Sequence, residues 1–93
     1  MENVRIKNSQ SRKLLKSVLD RELDILSNSI KLSEKRLKSF EKKYRLSTKL
    51  FFKKYNNGQM GDDQDIMFWA AEVQILKKLR DDLKHLSGVN FVN

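Results

Sequence analysis

The sequence predicts an all-α protein: a long antiparallel helical hairpin with a short intervening helix and coiled-coil-like packing. Three observations carry that prediction. The chain has 93 residues with no Pro and only three Gly, so few positions break or loosen a helix. Leu19, Leu23, Leu26, Ile30, Ser33, Leu37, Phe40 and Tyr44 recur at alternating steps of four and three, the seam of an amphipathic helix or coiled coil. Ile66, Trp69, Val73, Leu76, Leu79, Leu83 and Leu86 form a second run of the same kind beyond a glycine-bounded turn, and it is expected to pack antiparallel on the first.

The first helix is expected over about 10–45, with Ser9 or Ser11 accepting a hydrogen bond from a free backbone N–H in the first turn. Ser33 is the one polar residue in its seam. A small side chain that eases close packing is the expected role, the alternative being a polar contact that fixes register.

The second helix is short, about 48–56. Ser47 is placed to cap it, and Leu46 before the cap and Phe51 four positions inside it are spaced as a hydrophobic staple. Asn57 and Gly58 end it, because Gly accepts the left-handed backbone that a helix C-terminus often needs. Leu50, Phe51, Phe52 and Tyr55 wrap too far around this helix for one narrow stripe, so at least one aromatic is expected to face a partner.

The third helix is expected over about 63–87, with Asp62 or Asp63 as its cap and Asp65 adding negative charge in the first turn, where the helix dipole favours it. Ser87 and Gly88 stop it. Three aspartates at a helix start read as capping groups; a metal site needs convergent oxygens, and no EF-hand spacing is present.

The chain reads as one domain, 1–93, with extended or disordered tails at 1–8 and 89–93. Val4 and Ile6 alternate with charged residues, and Val89 and Phe91 with polar ones, so each tail has the pattern of a short strand that a partner's sheet edge would accept. The absence of Cys removes disulfide and thiol chemistry and fits a reducing cytosol. The start, MENVRIKN, lacks the apolar core of a signal peptide, and no apolar run approaches the ~20 residues of a membrane helix. A soluble, cytoplasmic protein is expected.

Catalysis is not expected. His85 is the only histidine and sits near a helix end beside Lys84 and Leu86, where a cation complements the dipole. Asp20, Glu22 and Asp24 lie on an exposed part of the first helix, no Ser or Lys is marked as a nucleophile by its neighbours, and there is no glycine-rich phosphate loop. No cofactor and no metal are expected.

Charge is uneven. Lys31, Lys35, Arg36, Lys38, Lys42, Lys43, Arg45, Lys49, Lys53 and Lys54 face only Glu34 and Glu41 in the same stretch, so the whole formal net charge of +8 sits between residues 31 and 54. Such a stripe attracts phosphates or an acidic protein surface. Lysines dominate it, which suits diffuse attraction better than bidentate base reading. For a nucleic acid the expected contacts are Lys35, Arg36, Lys38, Lys42, Lys43 and Arg45; for a protein they are Phe51, Phe52, Tyr55, Lys49, Lys53, Lys54 and Trp69.

The run FEKKYRLSTKLFFKKYNNGQMGDDQDIMFWAAEVQILKKLRDDL, Phe40 to Leu83, resembles small helical antitoxin-like proteins of prokaryotic toxin–antitoxin pairs. The residues that carry the resemblance are Phe40, Lys43, Tyr44, Ser47, Phe51, Gly58, Gly61, Asp62, Asp65 and Trp69. The resemblance covers about half the chain. It implies a non-catalytic protein-binding module that binds and neutralises a cognate small toxin, often a ribonuclease or nucleotidyltransferase. The basic balance departs from the acidic character common among proteins that mask basic nuclease sites, which speaks against mimicry of RNA. Two alternatives stand beside it: a nucleic-acid-binding protein that uses the stripe from Lys31 to Lys54, and a structural coiled-coil adaptor.

A first helix on the order of 50 Å against a third of about 36 Å leaves part of the seam uncovered within the chain. A homodimer is expected to cover it through Leu19, Leu23, Leu26, Ile30, Leu37 and Phe40, the residues that otherwise form the core seam. Asp in place of Leu26 or Ile30 is therefore expected to dissociate or unfold the protein. Unchanged mass in light scattering together with an unchanged melting temperature would contradict this.

Overall fold

A computed structural model of the chain describes residues 4–5, 9–88 and 91–92. In chain order the elements are β1 (Val4–Arg5), α1 (Ser9–Tyr44), α2 (Thr48–Asn56), α3 (Gln64–Ser87) and β2 (Phe91–Val92). The three helices fall within a residue of the predicted bounds. α1 and α3 form an antiparallel hairpin, and α2 packs across its closed end. The molecule measures 56 × 21 × 18 Å, about the length of α1 itself, since 36 residues at ~1.5 Å each span roughly 54 Å.

The tails take a different partner from the one expected. β1 and β2 pair in parallel with each other, Val4 opposite Phe91 and Arg5 opposite Val92. Ile6 and Val89, which belong to the same expectation, lie outside the described residues.

Each helix end follows from local chemistry. α1 stops at Tyr44 because Arg45 turns to φ +50, and the Leu46 N–H donates back to the Glu41 carbonyl at 3.2 Å. A left-handed non-Gly residue is unfavourable alone. Here it redirects the chain so that Leu46 reaches the core. α2 begins at the predicted cap: Ser47 Oγ accepts from the Leu50 N–H at 3.2 Å, and Leu46 and Phe51 enter the core as the staple requires. The Glu41 carboxylate takes the Thr48 N–H at 2.6 Å, so a side chain from the last turn of α1 satisfies an orphan donor of α2.

α2 ends in a Schellman arrangement. The Gln59 N–H reaches the Lys54 carbonyl at 2.9 Å and the Gly58 N–H reaches Tyr55 at 3.0 Å, with Gly58 at φ +71, as only glycine adopts readily. At α3 the cap position is Asp63, as predicted, but its side chain makes no capping hydrogen bond. The capping role there is limited to backbone geometry and charge.

The core is small and centred on Trp69, which is fully buried. Its indole stacks on Phe51 at 3.8 Å between ring centroids with planes 4° apart. Phe40 (5.6 Å) and Tyr44 (5.7 Å) of α1 also stack with it. The indole N–H donates to Thr48 Oγ1 at 3.2 Å. One side chain of α3 thus binds both other helices, with its polar atom satisfied. Leu37, Ile66, Ala70 and Leu76 complete the buried set, with Ile30, Leu46, Phe52, Tyr55, Met60 and Val73 packed against it.

A second fixed point lies in the middle of the hairpin. Ser33, 1 % exposed, donates to the Glu72 carboxylate at 2.7 Å. Glu72, 7 % exposed, also lies 3.5 Å from the Arg36 guanidinium. The expectation that Ser33 merely eases packing is therefore corrected: it is the donor to a buried acid. Sliding α1 by one turn would move Glu72 toward Ile30 or Leu37 and away from Ser33 and Arg36, and a buried carboxylate parted from its partners is costly. This pair holds the register that brings Phe40 to Trp69.

Trp69→Ala is expected to remove about 3–5 kcal/mol in urea unfolding followed by far-UV circular dichroism, a large share of the stability of a domain this size. Trp69→Phe, which keeps an aromatic ring in the stack but loses the Thr48 hydrogen bond and part of the buried ring, is expected to lose less than the alanine variant. A loss below ~1 kcal/mol for the alanine variant would show that the stack does not hold the three helices together.

Candidate functional site

α2 carries both the staple that fixes it and the side chains that a partner would meet. Because Phe51 is the inward staple residue, its neighbours in the helical period diverge to either side. Phe52 and Tyr55 sit half-buried on the flank toward α3, with ring centroids 6.1 Å apart. Together with Met67, Ala70, Ala71 and Gln74 they line an open cleft of about 230 Å³. Met67 is 55 % exposed at its edge, and Leu50 of α2 is also exposed. Lys49, Lys53 and Lys54 are exposed on the same short helix, and none of them makes an ion pair with a described residue.

Two of the residues expected at a protein contact lie elsewhere. Phe51 and Trp69 have no exposed surface; they stack on each other in the core and support the surface from beneath. The staple drives Phe51 inward, and Trp69 shares the inward arc of α3 with Ile66 and Leu76. Phe52, Tyr55 and the three lysines remain outside.

The basic stripe divides into engaged and free groups. Arg36 is held by Glu72. Lys43 pairs with Asp65 and lies over the Tyr44 ring, 5.6 Å from its centroid. Lys35, Lys38, Lys42 and Arg45 are exposed and make no ion pair with a described residue. With Lys31, the first three follow at steps of four, three and four, which places them on one ridge of α1, turned away from the seam that meets α3.

Of the expected seam residues, Leu37 is buried, Ile30 and Phe40 pack on the core, and Leu19, Leu23 and Leu26 are half-buried. Leu26 lies with Leu86 in a cleft that also holds Glu22, Asp82 and His85. The expected dimer seam is thus used within the chain as far as Leu26 and Ile30, because α3 reaches back along α1 to about Glu22. The turns from Ser9 to Leu19 extend beyond the end of α3.

Asp65 is the electrostatic centre of the closed end. The Lys43 ammonium donates to its Oδ2, and the Tyr44 hydroxyl donates to the same oxygen at 2.7 Å. These two hydrogen bonds, Lys43 first, hold the Asp65 carboxyl below the ordinary carboxylate range. The Lys43 ammonium is raised, chiefly by its bond to Asp65, and the Tyr44 hydroxyl is raised by the same bond and then by burial. The carboxylate is committed to tying the end of α1 to the start of α3. Among the described residues, no group of three or more His, Asp or Glu side chains converges, and His85 is exposed. No described helix is long and apolar enough to cross a membrane.

A further cleft, of about 540 Å³, opens on the other side of α2, with Leu37, Val73 and Leu76 as an apolar floor and Glu34, Lys38, Glu41, Lys49 and Arg80 around it. Arg80 and Glu34 pair across its rim at 3.2 Å. The sequence reading missed four groups that matter here: Glu41, Thr48, Met67 and Glu72. Only Glu72 carried a signal, since it lies three residues after Trp69 and four before Leu76, on the inward arc of the helix. Comparison of the chain with family models, with curated proteins and with solved structures returned no match.

Because the folded Asp65 carboxyl lies below its unfolded value of ~3.9, its contribution is complete above that value and is lost as pH falls through the lowered one. Lys43 and Tyr44, both raised, contribute below about pH 10 and lose their contribution as pH rises through their folded values. Asp65→Asn is expected to melt lower than the natural chain between about pH 5 and 9, with the difference closing below about pH 3. A melting-temperature difference that does not change with pH would contradict this.

Proposed function

We propose that this chain is a non-catalytic protein-binding module of the antitoxin type, which binds and neutralises a cognate small toxin. The observation that carries the reading is the outer side of α2. Phe52 and Tyr55, with Met67 beside them, offer open aromatic and aliphatic area on the short helix that also carries the exposed Lys49, Lys53 and Lys54. Apolar anchors on an element that also bears charge suit a protein interface, where aromatic side chains supply binding energy and charges steer the encounter. The surface belongs to the stretch that carries the antitoxin-like resemblance, and a cognate toxin follows from that resemblance. The turns of α1 beyond α3 support a homodimer as the assembled form.

A specific observation favours a second reading. The free lysines on the outer ridge of α1 form a continuous cationic line that a phosphate backbone would fit without base reading. The two readings differ in salt dependence: phosphate contacts weaken steeply over a few-fold rise in salt, and an apolar interface does not.

The test is capture by the tagged chain from extract of its native host, with and without nuclease, beside the Phe52→Ala/Tyr55→Ala variant. One small protein in stoichiometric amount, retained after nuclease and lost with the double variant, is the expected result. Recovery made up of nucleic acid and abolished by nuclease would overturn the protein-binding reading in favour of the cationic ridge. Retention of the same protein by the double variant would remove α2 from the contact.

A further inference from the structure

The groove between α1 and α3 stays open beside the first turn of α2, as a cleft of about 540 Å³. Its floor is the outer surface of the core: Leu37 of α1 and Leu76 of α3, both buried, with the half-buried Val73 between the walls. Lys38 of α1, Lys49 of α2 and Lys77 of α3 also line it. The methylene stems of these lysines extend the apolar lining while their ammonium groups stay in water. None of the described residues lining the cleft is aromatic.

The acids and bases around this floor are unequally committed. Glu34 pairs with Arg80 at 3.2 Å. The Glu41 carboxylate takes the Thr48 N–H at 2.6 Å, so its charge is held at the start of α2, where the helix dipole favours it. Asp81 stands four residues after Lys77 on α3, a spacing at which opposite charges offset one another. Lys38 and Lys49 are left. Both are exposed, and neither makes an ion pair with a described residue. Lys31, Lys35 and Lys42 lie on the same outer ridge of α1 as Lys38 and add to the positive field at its side of the cleft.

We infer that this cleft seats an acidic segment of the protein partner, with its apolar side chains on Leu37, Val73 and Leu76 and its carboxylates at Lys38 and Lys49. The inference rests on the protein-binding reading above and gives that partner its chemistry: apolar residues interleaved with Asp or Glu. Charge and floor together select this occupant. A basic segment would set like charges against Lys38 and Lys49, which is unfavourable. A phosphate backbone would answer the lysines but has nothing apolar to lay on the floor, and its bases would find no ring to stack on. An apolar segment without acids would cover the floor and leave both ammonium groups unanswered. α2 borders this cleft through Thr48 and Lys49 and the aromatic cleft through Phe52 and Tyr55, so one partner gripping α2 reaches both.

Two synthetic peptides with the same leucines, one carrying Glu and the other Lys at every polar position, probe the cleft in the full-length chain. The Glu peptide is expected to shift the backbone amide resonances of Leu37, Val73 and Leu76, and to bind about ten-fold tighter than the Lys peptide in fluorescence anisotropy. Lys38→Gln/Lys49→Gln is expected to abolish that preference and Lys38→Glu/Lys49→Glu to invert it, both with the circular dichroism of the natural chain. Phe52→Ala/Tyr55→Ala is expected to leave it unchanged. No binding of the Glu peptide, equal affinity for the two peptides, or shifts at Phe52 and Met67 in place of the floor would overturn the cleft and leave the protein-binding reading standing. A single-stranded oligonucleotide that shifts the floor amides more strongly than the Glu peptide would overturn the acidic segment in favour of phosphate. In capture from host extract, the protein held by the natural chain is expected to be lost with Lys38→Glu/Lys49→Glu. Its retention by that variant and loss with Phe52→Ala/Tyr55→Ala would overturn the cleft alone, and capture of no protein by the natural chain would overturn both readings.

Discussion

The fold depends on the stack around Trp69. α2 has nine residues, too few to persist as a helix in water without tertiary contacts. Its position is set by Phe51 lying flat on the indole, by Thr48 accepting the indole N–H, and by Glu41 holding the Thr48 amide. The rest of α2 is then placed: Phe52 and Tyr55 flank Phe51 toward α3, and the lysines are exposed to water. The candidate surface is in this sense a consequence of the core. The residues that look most like binding aromatics by type, Phe51 and Trp69, are the ones the surface rests upon.

The Ser33 and Glu72 pair serves a different end. A helical hairpin with a regular apolar seam can slide by one turn at modest cost, because leucines at a period of 3.5 replace one another readily. Burying one carboxylate against Ser33 and Arg36 limits that freedom, because a slide separates the acid from both partners. Arg36 adds a compensating charge at the rim. The same register aligns Phe40 and Tyr44 with Trp69, and it sets Lys43 and Tyr44 within reach of Asp65. Three contacts that look independent are therefore coupled through the phase of α1 against α3.

Much of the backbone was legible because its signals are local. The steps of four and three, the Ser47 cap, the Leu46 and Phe51 staple and the Gly58 terminus each depend on residues within one or two turns, and each has its predicted form. What escaped the sequence depends on residues far apart in the chain. The depth of Ser33 cannot be read until Glu72, 39 residues on, is known to face it. Whether Phe51 or Phe52 turns outward depends on how α2 crosses α3, which is fixed by Trp69. The end of α3 was also only half readable, since Asp63 takes the cap position without the side-chain bond. At the site, the division of the basic stripe into engaged and free residues could not be seen from charge alone, because Arg36 and Lys43 differ from Lys35 and Lys42 only in what α3 sets before them.

Hydrogen exchange of the backbone amides, followed by mass spectrometry on the chain alone and on the chain with whatever partner it retains, tests most directly whether a rigid aromatic core presents α2 to a protein. In the free chain the amides of α2 are expected to exchange faster than those around Leu37 and Trp69. On binding, slowed exchange is expected in Thr48–Asn56 and in the neighbouring turn at Met67, with the centre of α1 unchanged. Protection that instead falls on α1 between Lys31 and Lys42, with α2 exchanging as before, would contradict the protein-binding surface and place the contact on the cationic ridge.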